Sequence, residues 1–205
     1  MSRDAIAAAP MPLIAPDQGR PGARPALTRP ALVEVPAASS TGPAGVPSGF
    51  PRTPAGAIGQ LAALLGAVIE AMDVEHTAQV YAAWSAPDAP PVQQWPAMGA
   101  VRAFLASARL SRLGPGDVVV VTPVGAQIKG VHGPDWTLAC VLVTVRARVN
   151  GEARIAYGHC ERMTWQSTRW VIGPGAFPAP APHTWPGSEA MLTAGWRSWS
   201  EGHPR

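Results

Sequence analysis

The chain has 205 residues, of which 47% are hydrophobic and 14% charged, with a formal net charge of +3. That is room for one ordinary domain with a real core and some excess, and it excludes a charge-rich unfolded chain. The basic residues are fifteen Arg and the single Lys129; they form no charge run of the kind expected of a binder of nucleic-acid backbones.

The 24 Pro and 21 Gly are too many for one compact domain, and the prolines are concentrated at the start of the chain. Residues 1–50 hold 9 Pro and 11 Ala, and Phe50 is their only aromatic residue; all eight Trp lie beyond it, from Trp84 to Trp199. A segment without aromatics and rich in Pro buries too little surface to offset its chain entropy. The sequence therefore predicts a disordered Pro/Ala-rich arm over 1–50, partly extended as polyproline. A folded domain follows over 51–199, and 200–205 reads as a disordered tail. The start, MSRDAIAAAPMPLIAP, has no apolar run long enough for a signal peptide. The best membrane candidate, Ala55–Met72, is interrupted by Gln60 and Glu70 and reads as a helix of a soluble domain. Two cysteines, Cys140 and Cys160, give no disulfide framework and fit a reducing compartment. The expected location is cytoplasmic, with no membrane span.

In chain order, Thr53 is an N-cap and Pro54 a first helical residue, followed by Ile58, Leu61, Leu65, Val68, Ile69 and Met72 at helical spacing. Asp73 caps a second helix with Val74, Thr77, Val80, Tyr81 and Trp84 on its apolar stripe. Pro96 opens a third, with Met98, Val101, Phe104 and Leu105 inward. The character then changes. DVVVVTP and AQIKGVH are β-rich pieces separated by Pro123 and Gly125. WTLACVLVTVRARV is a long strand, and Asn150-Gly151 is a strong hairpin signal. EARIAYGHCERMTW returns, QST turns, and RWVIGPG is a further strand. SEAMLTAGWRSW closes the chain as a short helix capped by Ser188. Helices first and strands afterwards mean α+β: N-terminal helices packed on a curved antiparallel sheet of about four strands.

A two-residue Asn-Gly loop sets Val149 opposite Glu152, and strand alternation then sorts the side chains. Val141, Val143, Val145, Ala147 and Val149 share one face with Ala156, Gly158 and Cys160. Leu138, Cys140, Leu142, Thr144, Arg146 and Arg148 share the other with Ile155, Tyr157, His159, Glu161 and Met163. In that register the β-branched face is the core, Cys140 and Cys160 point apart without a disulfide, and His159 and Cys160 form no nucleophile–base dyad.

Tyr157, His159 and Glu161 project from one face at i, i+2 and i+4, and are the only candidates for a catalytic acid–base row. On the same expected face, Leu142, Arg146, Arg148, Tyr157 and His159 form a candidate docking surface. The histidines (His76, His132, His159, His183, His203) show no ligand spacing, so neither a metal site nor a cofactor is expected. No phosphate loop, dinucleotide fingerprint or nucleophile elbow is present. Arg154 and Arg162 fall on the face opposite Arg146 and Arg148, so no basic stripe forms and nucleic acid is not an expected partner. The Trp residues read as sealing the core edge.

Amphipathic helices followed by a bent antiparallel sheet, with a last hairpin ERMTWQSTRWVI, resemble the nuclear transport factor two-like cone. GFPRTPAGAIGQL, TPVGAQIKG, GPDWTLACVLVTVRARV, MTWQSTRWVIGPG and TWPGSEAMLTAGWRSW look like proteins of actinobacterial conjugative and integrative elements. Some of those are similar to the cone-fold assembly component of type IV secretion machines. The resemblance covers roughly 49–199, departs from those components in lacking an N-terminal membrane helix, and carries over no catalytic residue. It implies a non-enzymatic interaction protein of a mobile-element transfer system, partnered by itself as a homodimer or by another protein. The alternatives are a small-molecule-binding or isomerase-like cone with a helix–sheet pocket, which requires Tyr157, His159 and Glu161 to face the helices, and an accessory nucleic-acid binder.

Overall fold

Thr53 accepts a hydrogen bond from Gly56 N at 3.1 Å and caps the helix Pro54–Ala71, the second of the chain, where the sequence places it. The computed structural model describes residues 1–202. Its helices are α1 (Arg3–Ala8), α2 (Pro54–Ala71), α3 (Val74–Trp84), α4 (Pro96–Ala108) and α5 (Glu189–Thr193). Its strands are β1 (Leu32–Val35), β2 (Ser40–Thr41), β3 (Pro47–Ser48), β4 (Val118–Val131), β5 (Trp136–Arg148), β6 (Glu152–Gln166), β7 (Arg169–Ile172) and β8 (Arg197–Glu201). Asp73 caps α3 by accepting from His76 N at 2.7 Å, and Ser188 caps α5 by accepting from Met191 N at 3.1 Å.

The architecture is α+β: helices against a curled six-stranded sheet. The expected meander is β4-β5-β6-β7, and the order β1-β8-β4-β5-β6-β7 adds two strands that the sequence reading missed. β4 is continuous through Pro123 because the register shifts between Pro123 and Gly125, where a missing ladder N–H is tolerated. β8 replaces the second half of the expected C-terminal helix. Gly195, at φ +78°, ends α5, and the chain turns to pair antiparallel with β4 and parallel with β1.

The helices bury α2 most deeply: Ile58, Leu61, Leu64, Leu65 and Val68 are fully buried against Val141, Val143, Val145 and Ala147 of β5. Among the described residues α2 alone is long and apolar enough to cross a membrane, and 61% of it is buried inside the fold. The opposite, outer face of β5 is covered in stages. Trp136 and Leu138 lie under Ile6 and Ala7 of α1. Cys140 and Leu142 lie under Met11, Met191, Ala194 and Trp196. Thr144, Arg146 and Arg148 have no such cover, and the two arginines are exposed.

Two expectations are corrected. Residues 1–50 are laid on the domain as a strap instead of forming a disordered arm. β1 pairs with β8, Val35 and Val46 are buried, and the segment carries its own small hairpin of β2 and β3. Phe50 is the strap's only aromatic residue, and the domain supplies the others. Trp84 Nε1 donates to Pro43 O at 3.0 Å and Trp170 Nε1 donates to Pro51 O at 2.9 Å. A Cβ on Gly42 would sit 2.5 Å from the Trp84 ring, so the backbone passes directly across the indole. Lys129, at the second register shift of β4, donates to Ala7 O and Ala9 O at the end of α1. The expected tail begins inside β8, since Ser200 and Glu201 are ladder residues; residues 203–205, including His203, lie outside the described residues.

The second correction is the β5–β6 register. The hairpin turns through three residues, Val149, Asn150 and Gly151, so Arg148 faces Glu152 and the whole of β6 shifts by one position relative to the expected pairing. Asn150 and Gly151 both take positive φ, +51° and +135°. Every β6 side chain thereby changes face relative to β5. Cys140 and Cys160 become direct partners and are joined in a disulfide, with Cα atoms 4.0 Å apart. The cysteine count therefore gives no ground for a reducing compartment.

Val46→Ala removes two methyl groups from a fully buried site and should cost about 2 kcal/mol by urea denaturation; a loose arm would leave the midpoint unchanged. Reduction of Cys140–Cys160, which closes a separation of 20 residues, should lower stability by about 3 kcal/mol and raise the intact mass by two hydrogens.

Candidate functional site

The shifted register places Tyr157, His159 and Glu161 opposite Val143, Val141 and Ala139, on the helix-facing side of the sheet. The three share one face, as their spacing predicts, but it is the helix-facing side and not the outer one expected from a two-residue turn. They form a continuous chain. Tyr157 Oη lies 3.2 Å from His159 Nδ1, and His159 Nε2 lies 3.2 Å from Glu161 Oε2. Glu161 also accepts from Trp95 Nε1 at 2.9 Å and, through Oε1, from Arg162 N at 3.2 Å. A carboxylate can only accept, so the His159 proton that meets it sits on Nε2. In the neutral ring Nδ1 is then the acceptor for the Tyr157 hydroxyl.

Glu161 is 1% exposed and His159 4%, so the pair is out of water. A carboxylate in that setting needs its hydrogen bonds, and the fold supplies them from three directions. Trp95 comes from the turn leading into α4, where Pro96 starts the helix; it packs against Tyr81 with ring centroids 5.0 Å apart and meets the His159 ring edge-on at 6.5 Å. Burial, and then the Glu161 charge, push the Tyr81 phenol up to about 12. The same two causes, in the same order, raise the Tyr157 phenol well above its ordinary range, so it is neutral at physiological pH.

The free edge of β6 holds the second histidine. Gly158 N donates to His183 Nδ1 at 2.9 Å, and the His183 ring stacks on Tyr157 at 5.2 Å and 27°. Gly158 is required there: a Cβ would stand 2.5 Å from Pro182 O. Tyr157 is thus held between two imidazoles, of which only His159 had been singled out in the sequence. The Gly158 gap is the sequence signal for the close approach, legible only once the Pro-rich segment is known to run past it.

Tyr157 also reaches a cavity of about 240 Å³ between α2, α4 and the β5–β6 hairpin. Ile69, Met72, Phe104, Val145 and Ile155 give it apolar walls, and Ser107 and Tyr157 are its polar side chains. At about 30 Å³ per water-sized group, it holds a small ligand of roughly eight such groups. Tyr157 is the one residue that both lines the cavity and belongs to the hydrogen-bonded chain to the buried His159–Glu161 pair.

The residues expected to share a docking surface do not share one. Tyr157 and His159 face the helices, Leu142 is fully buried, and Arg146 and Arg148 stand on the outer face. His76 and His132 are remote in the chain from this cluster, and among the described residues no three metal-ligating side chains come together. Comparison with protein-family models, curated proteins and solved structures finds no match for this chain.

Partial desolvation of the ring where it stacks on Tyr157, and then the nearby His159, lower the His183 pKa from 6.5. The unfolded chain therefore binds a proton that the folded chain resists, and stability contributed by neutral His183 is lost as pH falls below about 6.5. Stability should decline between pH 7.5 and pH 5.5, and His183→Asn, which keeps an acceptor for Gly158 N, should flatten that decline. Urea midpoints at the two pH values measure both.

Proposed function

We propose that this chain is a small-molecule-binding domain of the cone type, with its site in the helix–sheet cavity and Tyr157 as the polar anchor. The observation that carries the reading is that Tyr157, the outer member of the Tyr157–His159–Glu161 chain, also lines a mostly apolar cavity. An apolar pocket with a few convergent polar groups of shifted pKa is the ordinary form of a ligand site. This reading stands ahead of an assembly role in a transfer system because the five residues of the expected docking surface are divided between two faces.

The ligand fitting this site is a small, mostly apolar molecule with one hydroxyl or carbonyl group. With its proton directed at His159 Nδ1, the Tyr157 oxygen accepts a hydrogen bond from a ligand hydroxyl. Rotated toward the cavity, the same hydroxyl donates to a carbonyl. His159 takes the phenolic proton when Tyr157 acts as a base, and Glu161 stabilises the imidazolium that results; the proton returns by the same route. The arrangement therefore suits proton transfer next to a carbonyl, an isomerase-like reaction, as well as simple binding.

A fragment set of phenols and cyclic ketones, followed by amide chemical shifts, tests the reading. Binders should perturb α4 and the β5–β6 hairpin. Tyr157→Phe should weaken them about tenfold, the loss of one hydrogen bond of about 1.4 kcal/mol. Ala100→Leu, on the α4 wall of the cavity, should abolish them. Fragments that bind equally well to Ala100→Leu, or a set with no binder, would overturn the assignment.

A further inference from the structure

The outer face of the sheet holds a second concavity, of about 520 Å³, that the cavity reading leaves unused. The register that carries Tyr157 inward carries Arg154 outward. Arg146 and Arg154 are direct cross-strand partners, Arg148 follows two residues along β5, and Val118 and Val120 flank them from β4. All three arginines line the groove, together with Val118, Val120 and Trp185. Arg154, expected on the face opposite Arg146 and Arg148, joins them in one cluster, while Arg162 is buried at the far end of β6 beside Asp4.

One carboxylate lies among them. Glu152 Oε1 takes Arg154 Nη2 at 2.7 Å and Nε at 3.0 Å, with Arg146 Nε at 3.4 Å. Hydrogen bonding from Arg154 and the charges of Arg146, Arg154 and Arg148 hold its carboxyl below the usual range, so all three guanidinium groups act on one spot. Among the described residues Arg148 has no acidic partner, and the cluster keeps an excess of two positive charges. Like charges placed directly opposite on a sheet repel, and a second anion in the groove relieves that repulsion.

We propose that this groove binds single-stranded nucleic acid. Three guanidinium groups spread along two strands present a row of charge to a row of phosphates, and the groove is far larger than one phosphate needs. Beside the arginines lie groups on which bases could stack: Val118 and Val120 are 41% and 44% exposed, and Trp185 lines the same groove. A positive groove with an aromatic platform is the general form of single-strand recognition. An acidic peptide would answer the arginines and leave Trp185 and the valines without a role.

The test is fluorescence anisotropy of a labelled 12-nucleotide oligothymidylate with the full chain at rising salt. Binding should weaken with a log–log slope of about −2, the value for about three phosphates on a single strand. Arg148→Ala should weaken binding severalfold and reduce the slope by about 0.7. Glu152→Gln should tighten it severalfold, which no unfolding artefact would imitate. Trp185→Phe should weaken binding, and Ala100→Leu, in the cavity on the other face, should leave it unchanged. No anisotropy change at low salt would overturn the proposal. So would displacement by poly-glutamate at equal charge concentration, which would mark an acidic-peptide site, or an unchanged affinity in both Arg148→Ala and Glu152→Gln.

Discussion

The pairing of Arg148 with Glu152 across a three-residue turn decides which side of the sheet every residue of β6 occupies, because side chains in a strand alternate with a period of two. From that one register follow the buried Tyr157–His159–Glu161 chain, the Cys140–Cys160 bond and the outward cluster of Arg146, Arg148 and Arg154. None of these could coexist with a two-residue turn, which would set Cys140 against Glu161 and turn Tyr157 away from α2 and α4. The turn is itself held by local chemistry: Asn150 and Gly151 accept positive φ, and Asn150 Nδ2 donates to Ala108 O at the end of α4 at 3.3 Å. The helix layer and the hairpin tip are thus tied together beside the cavity.

Glu161 is the costliest group that this register buries. A carboxylate at 1% exposure loses its hydration and must be compensated within the fold. Its partners come from separate elements: Trp95 at the start of α4, the backbone of Arg162, and His159 two residues away on β6. A network of this kind is sensitive to the loss of any member, since each partner left behind is itself buried. It fixes α4 against the sheet at a defined height, and α4 in turn provides Phe104, Ala100 and Ser107 to the cavity. The polar chain is therefore both a structural tie and the route by which Tyr157 senses buried charge.

The sequence was most legible where local signals were sufficient. Thr53, Asp73 and Ser188 cap the helices they were expected to cap, and the order of helices followed by a four-strand meander is present in the structure. The grouping of Tyr157, His159 and Glu161 was legible from their spacing alone. Their face was not, because Asn150-Gly151 suits either a two-residue loop or the last two positions of a three-residue one, and the two differ by a full inversion of β6. Nor was the strap legible. The composition of residues 1–50 states that they cannot form a core, which is true, but Val35 and Val46 borrow one from α2, Trp84 and Trp170. β8 was hidden because the apolar spacing of Met191, Leu192 and Trp199 fits a helix until Gly195 breaks it.

The two faces of the β5–β6 hairpin also differ in how the remainder of the chain treats them. The inner face is sealed along its length by helices except at the cavity beside Tyr157. The outer face is covered only in part: α1 and Met11 close it over Trp136, Leu138, Cys140 and Cys160, and α5 with Trp196 extends the cover to Leu142. The cover stops where the side chains change from apolar to Arg146, Arg148 and Arg154. Hydrophobic burial accounts for the covered half, since those side chains gain from leaving water. It also accounts for the open half, because laying the strap over three guanidinium groups with one carboxylate among them would strand uncompensated charge. The strap and the C-terminal segment therefore define the groove by ending at its border, and the same alternation that leaves a mostly apolar cavity on one face leaves a positively charged groove on the other.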